Sequence, residues 1–254
     1  MIGGKHLAIA LTTALVAAAP ARALEVELRI ASDRQVKLAS STQGVVMDAA
    51  GRELARIPAR QAVTARAIDD RVAMRDWRAR SLRLVPTGEG EVWIGGRWYR
   101  GSARLRSRGR GITVINQVRL EPYLYSVVAA EVPAVWPMEA LKAQAVAARS
   151  YALAHMREGN APFETDQSFQ VYEGLDSEYS TGRRAVRETR GIVLVRGGEI
   201  AKTLYAARRE LAESRWGGGM GQKEAKQLAE RGWSWRQILG EFYPKAKLAN
   251  LNEG

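Results

Sequence analysis

Tyr123–Met156, YLYSVVAAEVPAVWPMEALKAQAVAARSYALAHM, is the stretch that decides the reading of this chain. An apolar run carries one acidic residue, Glu131, and breaks at Trp136-Pro137. A long alanine-rich helix is predicted to follow. Pro137 suits a first helical position, where its missing N–H costs nothing. Glu139 falls in the first turn, where the helix dipole favours negative charge. Leu141, Ala145, Ala148 and Ala152 recur at helical spacing, with Val146 and Leu153 beside them. Arg149 falls inside that apolar arc, and a guanidinium aimed at a core needs a carboxylate or another acceptor. Glu131 then has two readings. It is an ordinary member of a structural ion pair, or it is a general acid. In the second case Val127, Val128, Val132 and Trp136 desolvate its carboxyl and keep it protonated near neutral pH.

Toward the N-terminus, EVELRIA, QVKLAS, GVVMD, SLRLVP and EVWIGGRWYRG alternate as short strands do. Gly95-Gly96 is a hairpin turn. RIPARQAVTARAIDDRV is ambiguous and open to a loop reading. Trp93, Trp98 and Tyr99 serve either as cross-strand core pairs or as sugar-stacking rings. Arg104, Arg106, Arg108 and Arg110 alternate, which puts them on one strand face, either a solvated face or a strip that binds an acidic surface.

Toward the C-terminus, Gly159 and Asn160 end the long helix. PFETDQSFQVYEG places Asp166, Gln167, Gln170 and Tyr172 in a loop-to-strand setting. STGRRAVRETRG reads as a short helix stopped by Gly191, and IVLVRGGEIAKTLYAA as a hairpin turning at Gly197-Gly198. GQKEAKQLAERG and SWRQILGEFY read as two helices, the second capped by Ser234. The tail from Pro244 reads as polar and frayed.

These blocks resemble the SpoIID/LytB family, the stage II sporulation protein D and amidase-enhancer domain. The resemblance rests on YLYSVVAAEVPAVWPMEALKAQAVAARSYAL, flanked by VINQVRLEPYL upstream. Downstream it continues through TDQSFQVYEG, AVRETRGIVLVRGGEIAKTLY and WGGGMGQKEAKQLAERGWSWRQILGEFYP. It covers Arg100 to Pro244. It implies a cell-wall protein acting on peptidoglycan glycan strands, with a cell-wall amidase as a partner. Glu131 matches the catalytic Glu of lytic transglycosylases. Arg149 would orient Glu131 or a muramyl carboxylate. Gln170 and Tyr172, and Trp216 and Gln222 in the later block, would contact substrate. Two features depart from the family. Tyr205-Ala206-Ala207 runs through RRELAES straight to Trp216, where relatives have a longer segment, and the Trp216–Gln222 block lacks a His. Three functions therefore stay open: a transglycosylase, a non-catalytic glycan-binding module that enhances an amidase, and an inactive shortened relative.

The expected fold class is α+β. Residues 1–23 read as a signal peptide, with Lys5, the apolar LAIALTTALVAAA and the Ala21-Arg22-Ala23 cleavage site. A small β-rich region follows over 24–99, then a SpoIID-like domain over 100–245 with a central Ala-rich helix, then a tail over 246–254. The address is exported, with no integral membrane span after signal cleavage; an uncleaved anchor is the other reading of the apolar run. The chain has no Cys and two His, His6 and His155, so neither disulfides nor a Cys- or His-cluster metal site is expected, and no cofactor. A net charge of +12 fits an acidic partner. For an exported protein that means the cell envelope rather than nucleic acid.

Overall fold

The computed structural model describes residues 24–159, 161–166 and 169–251. The segment expected to be a signal peptide, Asn160 and Gln167 lie outside the described residues.

Alternating apolar side chains build the first half as strands. These are β1 (Glu25–Asp33), β2 (Gln35–Ser40), β3 (Gly44–Asp48), β4 (Glu53–Ile57), β5 (Val63–Ile68) and β6 (Arg71–Met74). They continue with β7 (Trp77–Ala79), β8 (Ser81–Pro86), β9 (Glu91–Ile94), β10 (Arg97–Arg100), β11 (Ser102–Arg108) and β12 (Gly111–Arg119). They pair into two six-stranded sheets, ordered β1-β12-β11-β8-β3-β4 and β10-β9-β2-β5-β6-β7. Val26, Leu28, Leu84, Leu105 and Val114 of the first sheet share one core with Leu38, Ala65, Met74 and Ile94 of the second. The ambiguous segment around residue 65 resolves into the β5–β6 hairpin. Its turn is made by Asp69 and Asp70 at positive φ rather than by glycine. The Gly95-Gly96 hairpin forms as read, with Arg97 opposite Ile94. β11 and β12 are central to the first sheet, so the β-rich unit runs through Arg119, beyond the boundary expected at residue 99.

The chain passes from β12 directly into α1 (Leu120–Glu131), then α2 (Met138–Arg157) and α3 (Ser180–Glu188). β13 (Ile192–Arg196) and β14 (Glu199–Ile200) form the hairpin expected at Gly197-Gly198. β15 (Tyr205–Ala206), α4 (Arg209–Trp216), β16 (Met220–Gly221), α5 (Gln222–Glu230), α6 (Trp235–Phe242) and β17 (Lys247–Asn250) complete the fold. The architecture is α+β. Ser234 caps α6 in a full capping box with Gln237. The tail is not frayed: Lys247–Asn250 pairs antiparallel with β13 and satisfies an edge that would otherwise stay open.

α2 is the spine of the second half. The sequence reads as one apolar face, but the helix is buried on nearly all sides. Leu141, Ala145, Ala148 and Ala152 join the β-sandwich core. Ala143, Val146 and Ala147 join a second core with Ala225, Trp235, Ile238 and Leu239 of α5 and α6. Alanine is what lets neighbours close on both sides of one helix at interior packing density.

Candidate active site

Glu131 is the last residue of α1, and Pro133 follows directly. Its carboxylate is held from two later elements. Gln222, the first residue of α5, donates from Nε2 to Oε2 at 3.1 Å. The Tyr205 hydroxyl on β15 lies 3.5 Å from Oε1. β15 and β16 pair in parallel, Tyr205 opposite Met220, and this puts Tyr205 and Gln222 on the same carboxylate. Gly219 lets the strands meet. At its φ of 145° a Cβ would stand 2.6 Å from the Leu204 carbonyl oxygen. Burial pushes the Glu131 pKa above its ordinary value, while Gln222, Tyr205 and the main chain at Val171 pull it part of the way back.

The direction of the Tyr205 hydrogen bond is fixed by Gln170, which is 1% exposed. Gln170 Nε2 donates to the Ala148 carbonyl at 3.3 Å and to the Tyr205 oxygen at 2.8 Å, and its Oε1 accepts from the Tyr123 hydroxyl at 2.8 Å. A carbonyl only accepts, so the amide nitrogen must face Ala148 and Tyr205. The Tyr205 oxygen is thereby an acceptor from Gln170, and its proton is left for Glu131. Burial first, then the charge of Glu131, keeps that phenol protonated. On the other side, Gln222 also reaches Gln144 Oε1 at 3.5 Å.

Of the residues singled out from sequence, Glu131 and Gln222 come together, and Gln170 stands one hydrogen bond behind, on the Tyr205 hydroxyl. Arg149 is corrected. It is 0% exposed and forks onto Glu121, Nε to Oε1 and Nη2 to Oε2, both at 2.8 Å. Its remaining donors go to the carbonyls of Ile192 and Val186. The acceptor its burial demands is therefore Glu121 near the start of α1, not Glu131 at its end. Tyr172 is corrected as well. It is 4% exposed, packs between Tyr99 and Tyr123, and donates to Asn116 Oδ1 at 2.9 Å. It locks the loop to the sheet and does not line a groove. Trp216 closes α4 and is 44% exposed, outside the hydrogen bonds around Glu131. The arginine strip is shorter than expected. Arg110 lies past the end of β11, Arg104 pairs with Glu27, and Arg106 and Arg108 are exposed. Tyr205, Gln144 and Glu121 were missed. The acidic first turn of α1 was the legible signal for Glu121; Tyr205 and Gln144 gave none.

Among the described residues no group of His, Asp and Glu is placed to hold a metal ion, and no helix is long and apolar enough to cross a membrane.

Residues 108–195 match the model of the SpoIID family, Stage II sporulation protein. An uncharacterized protein of Brachyspira hyodysenteriae is 36% identical over 113 residues, covering 43% of this chain and 31% of that protein. A Bacillus subtilis protein named Amidase enhancer is 39% identical over 84 residues, covering 33% of this chain and 11% of that protein. The chain thus spans less than a third of the length of either relative. The matched segment holds α1, Glu131 and α2, while Tyr205 and Gln222 lie beyond it, and over that segment the chain is similar to the SpoIID family.

Proposed function

We propose that this protein cleaves peptidoglycan glycan strands as a lytic transglycosylase, with Glu131 as its acid and base. One observation carries the reading: Glu131 is a carboxyl raised in pKa by burial, with Gln222 and Tyr205 directed at its two oxygens and, among the described residues, no other carboxylate bonded to it. Most glycosidases need two carboxylates flanking the bond. A transglycosylase does with one, because the substrate supplies the nucleophile. Glu131 protonates the leaving glycosidic oxygen, and the sugar–oxygen bond breaks. The resulting carboxylate then takes the proton from the C6 hydroxyl as that oxygen bonds to C1. The products are a free strand end and a 1,6-anhydromuramyl end, and Glu131 is again protonated. Gln222 and Tyr205 stabilise the charged form between the two transfers.

A second reading is favoured by the relative named Amidase enhancer: the chain binds glycan strands and stimulates a cell-wall amidase without cutting. Both readings place the protein at the cell wall, and both use its positive charge against an acidic surface. Mass spectrometry of amidase-treated glycan strands after incubation with wild type and Glu131→Gln separates them. Loss of the only acid is expected to reduce product at least about 10²-fold. Strand binding by wild type without anhydro ends sinks the cleavage reading and leaves the binding module.

A further inference from the structure

Behind Gln222 stands a second buried glutamine. Gln144 of α2 is 1% exposed, and its Oε1 lies 3.5 Å from the same Gln222 Nε2 that serves Glu131. That contact is long for an N–H···O bond, so Gln144 gains little from it. Its own Nε2 is closed off from solvent and has no hydrogen-bond partner among the described residues. A buried N–H left unpaired costs free energy, and such a group in a folded protein calls for an explanation.

The explanation starts from the carboxylate. Ionised Glu131 can only accept, so Gln222 must turn its nitrogen to Oε2. That nitrogen then also faces Gln144, which must offer its oxygen, and the Gln144 nitrogen is left without an acceptor. Protonated Glu131 is a donor. Gln222 can then turn over and present Oε1 to the carboxyl proton. An oxygen now stands where the nitrogen stood, and Gln144 can turn over in its place and donate Nε2 to it. The donor that is unpaired in the charged state is paired in the neutral one. What is left over is a carbonyl oxygen, which tolerates missing partners more readily than an N–H does. Other titrations do not intrude. The groups whose charge couples to Glu131 are the phenols of Tyr123 on α1, Tyr151 on α2 and Tyr205 on β15, all held above their ordinary range, so none ionises where a glutamate titrates. Among the described residues no Lys, Arg or second carboxylate is bonded to Glu131.

We propose that Gln144 is a positioning residue for the Glu131 proton: on protonation the Gln222 and Gln144 amides turn over together, Gln222 Oε1 accepting from the carboxyl and Gln144 Nε2 donating to that same oxygen. The pair thus meets both halves of an acid–base cycle, a donor for the carboxylate and an acceptor for the acid. Gln144 favours the protonated half, because only there is its nitrogen satisfied. The inference rests on Glu131 as the acid of the proposed cleavage and deepens that reading.

The test reads the proton directly and needs no substrate. Full-length protein with isotope-labelled glutamate is titrated by NMR, the Glu131 carboxyl being the signal missing from Glu131→Gln. Gln144→Met keeps the unbranched length and removes the amide. It is expected to lower the Glu131 midpoint by about one pH unit, a tenfold weaker hold on the proton. An unchanged or raised midpoint overturns the proposal. So does an equal shift in Ile238→Val, which loosens the core between α2 and α6 without touching either amide. In a Gln222→Met background the effect of Gln144→Met should vanish, because it passes through Gln222, and a shift that persists there also overturns the proposal. If Gln144→Met does not fold, the wild-type side-chain amide of Gln144 decides: its signals should move with the Glu131 midpoint, and a flat profile refutes the coupling. The two readings fail separately. A lowered midpoint in a protein that makes no anhydro ends refutes cleavage and keeps the amide pair. Cleavage with a midpoint that ignores Gln144→Met does the reverse.

Discussion

Arg149 and Glu121 allow a prediction whose size follows from unequal burial. Arg149 has no exposed side-chain surface, while Glu121 keeps 20% of its own. In Glu121→Leu a guanidinium is stranded in the interior with only the carbonyls of Ile192 and Val186 left. Breaking a buried pair from one side costs about 3–5 kcal/mol, and this variant should fall at the top of that range. In Arg149→Met the stranded group is a carboxylate that can still reach water, and a Gly191 N–H lies 3.5 Å away, so the cost should sit at the bottom, about 3 kcal/mol. The double variant removes both charges and leaves two carbonyls short of a donor, at about 1 kcal/mol each. It should therefore be more stable than Glu121→Leu alone. Urea unfolding at neutral pH, with m unchanged between variants, measures all three. Equal costs for the two single variants, or a double variant as unstable as their sum, would refute this account. So would a cost under about 1 kcal/mol for either, which is the range of an exposed pair.

Glu131→Gln should change stability with pH in a fixed direction. The folded pKa is raised above the unfolded one, so the folded state holds the proton more tightly, and wild-type stability falls as pH rises through the folded value. The variant should therefore melt higher than wild type at pH 8 and about equally at pH 4; a constant difference refutes it. Gln170→Leu should cost about 2–3 kcal/mol by thermal unfolding, because it strands the Tyr123 hydroxyl and the Ala148 carbonyl together; a neutral result would refute that role for the amide. Lys142 and Arg184 hold the Glu188 carboxyl down to about 2. Its contribution to stability is present above its unfolded pKa of about 4.5 and is lost as pH falls toward about 2. Glu188→Gln should flatten the acid limb of a melting-temperature profile over that window, and an unchanged limb counts against it.

What the sequence made legible was local. Both glycine hairpins, the Ser234 cap and the long helix follow from side-chain chemistry a few residues apart, and so does the isolation of Glu131 in an apolar run. Glu121 was visible as an acidic first turn, but its claim on Arg149 depends on how α1 and α2 cross, which no periodicity encodes. Tyr172 misled because a tyrosine in a polar loop has the same letter whether its ring lines a groove or, as here, fills a core between Tyr99 and Tyr123. Asp69-Asp70 hid the β5–β6 turn because positive φ is a glycine habit that Asp also tolerates. Lys247–Asn250 looked frayed because a strand four residues long has almost no pattern of its own, and only the open edge of β13 makes it one.

The order of the chain gives the Glu131 site a timing. Synthesis from the N-terminus produces the acid at position 131 well before Tyr205 and Gln222, which come from the last fifth of the molecule. Until β15 and α5 dock, that carboxyl lacks the Gln222 and Tyr205 hydrogen bonds that stabilise its charged form. The hydrogen bonds that hold the Glu131 carboxylate are thus supplied by the C-terminal third, and the constellation is complete only when the fold is.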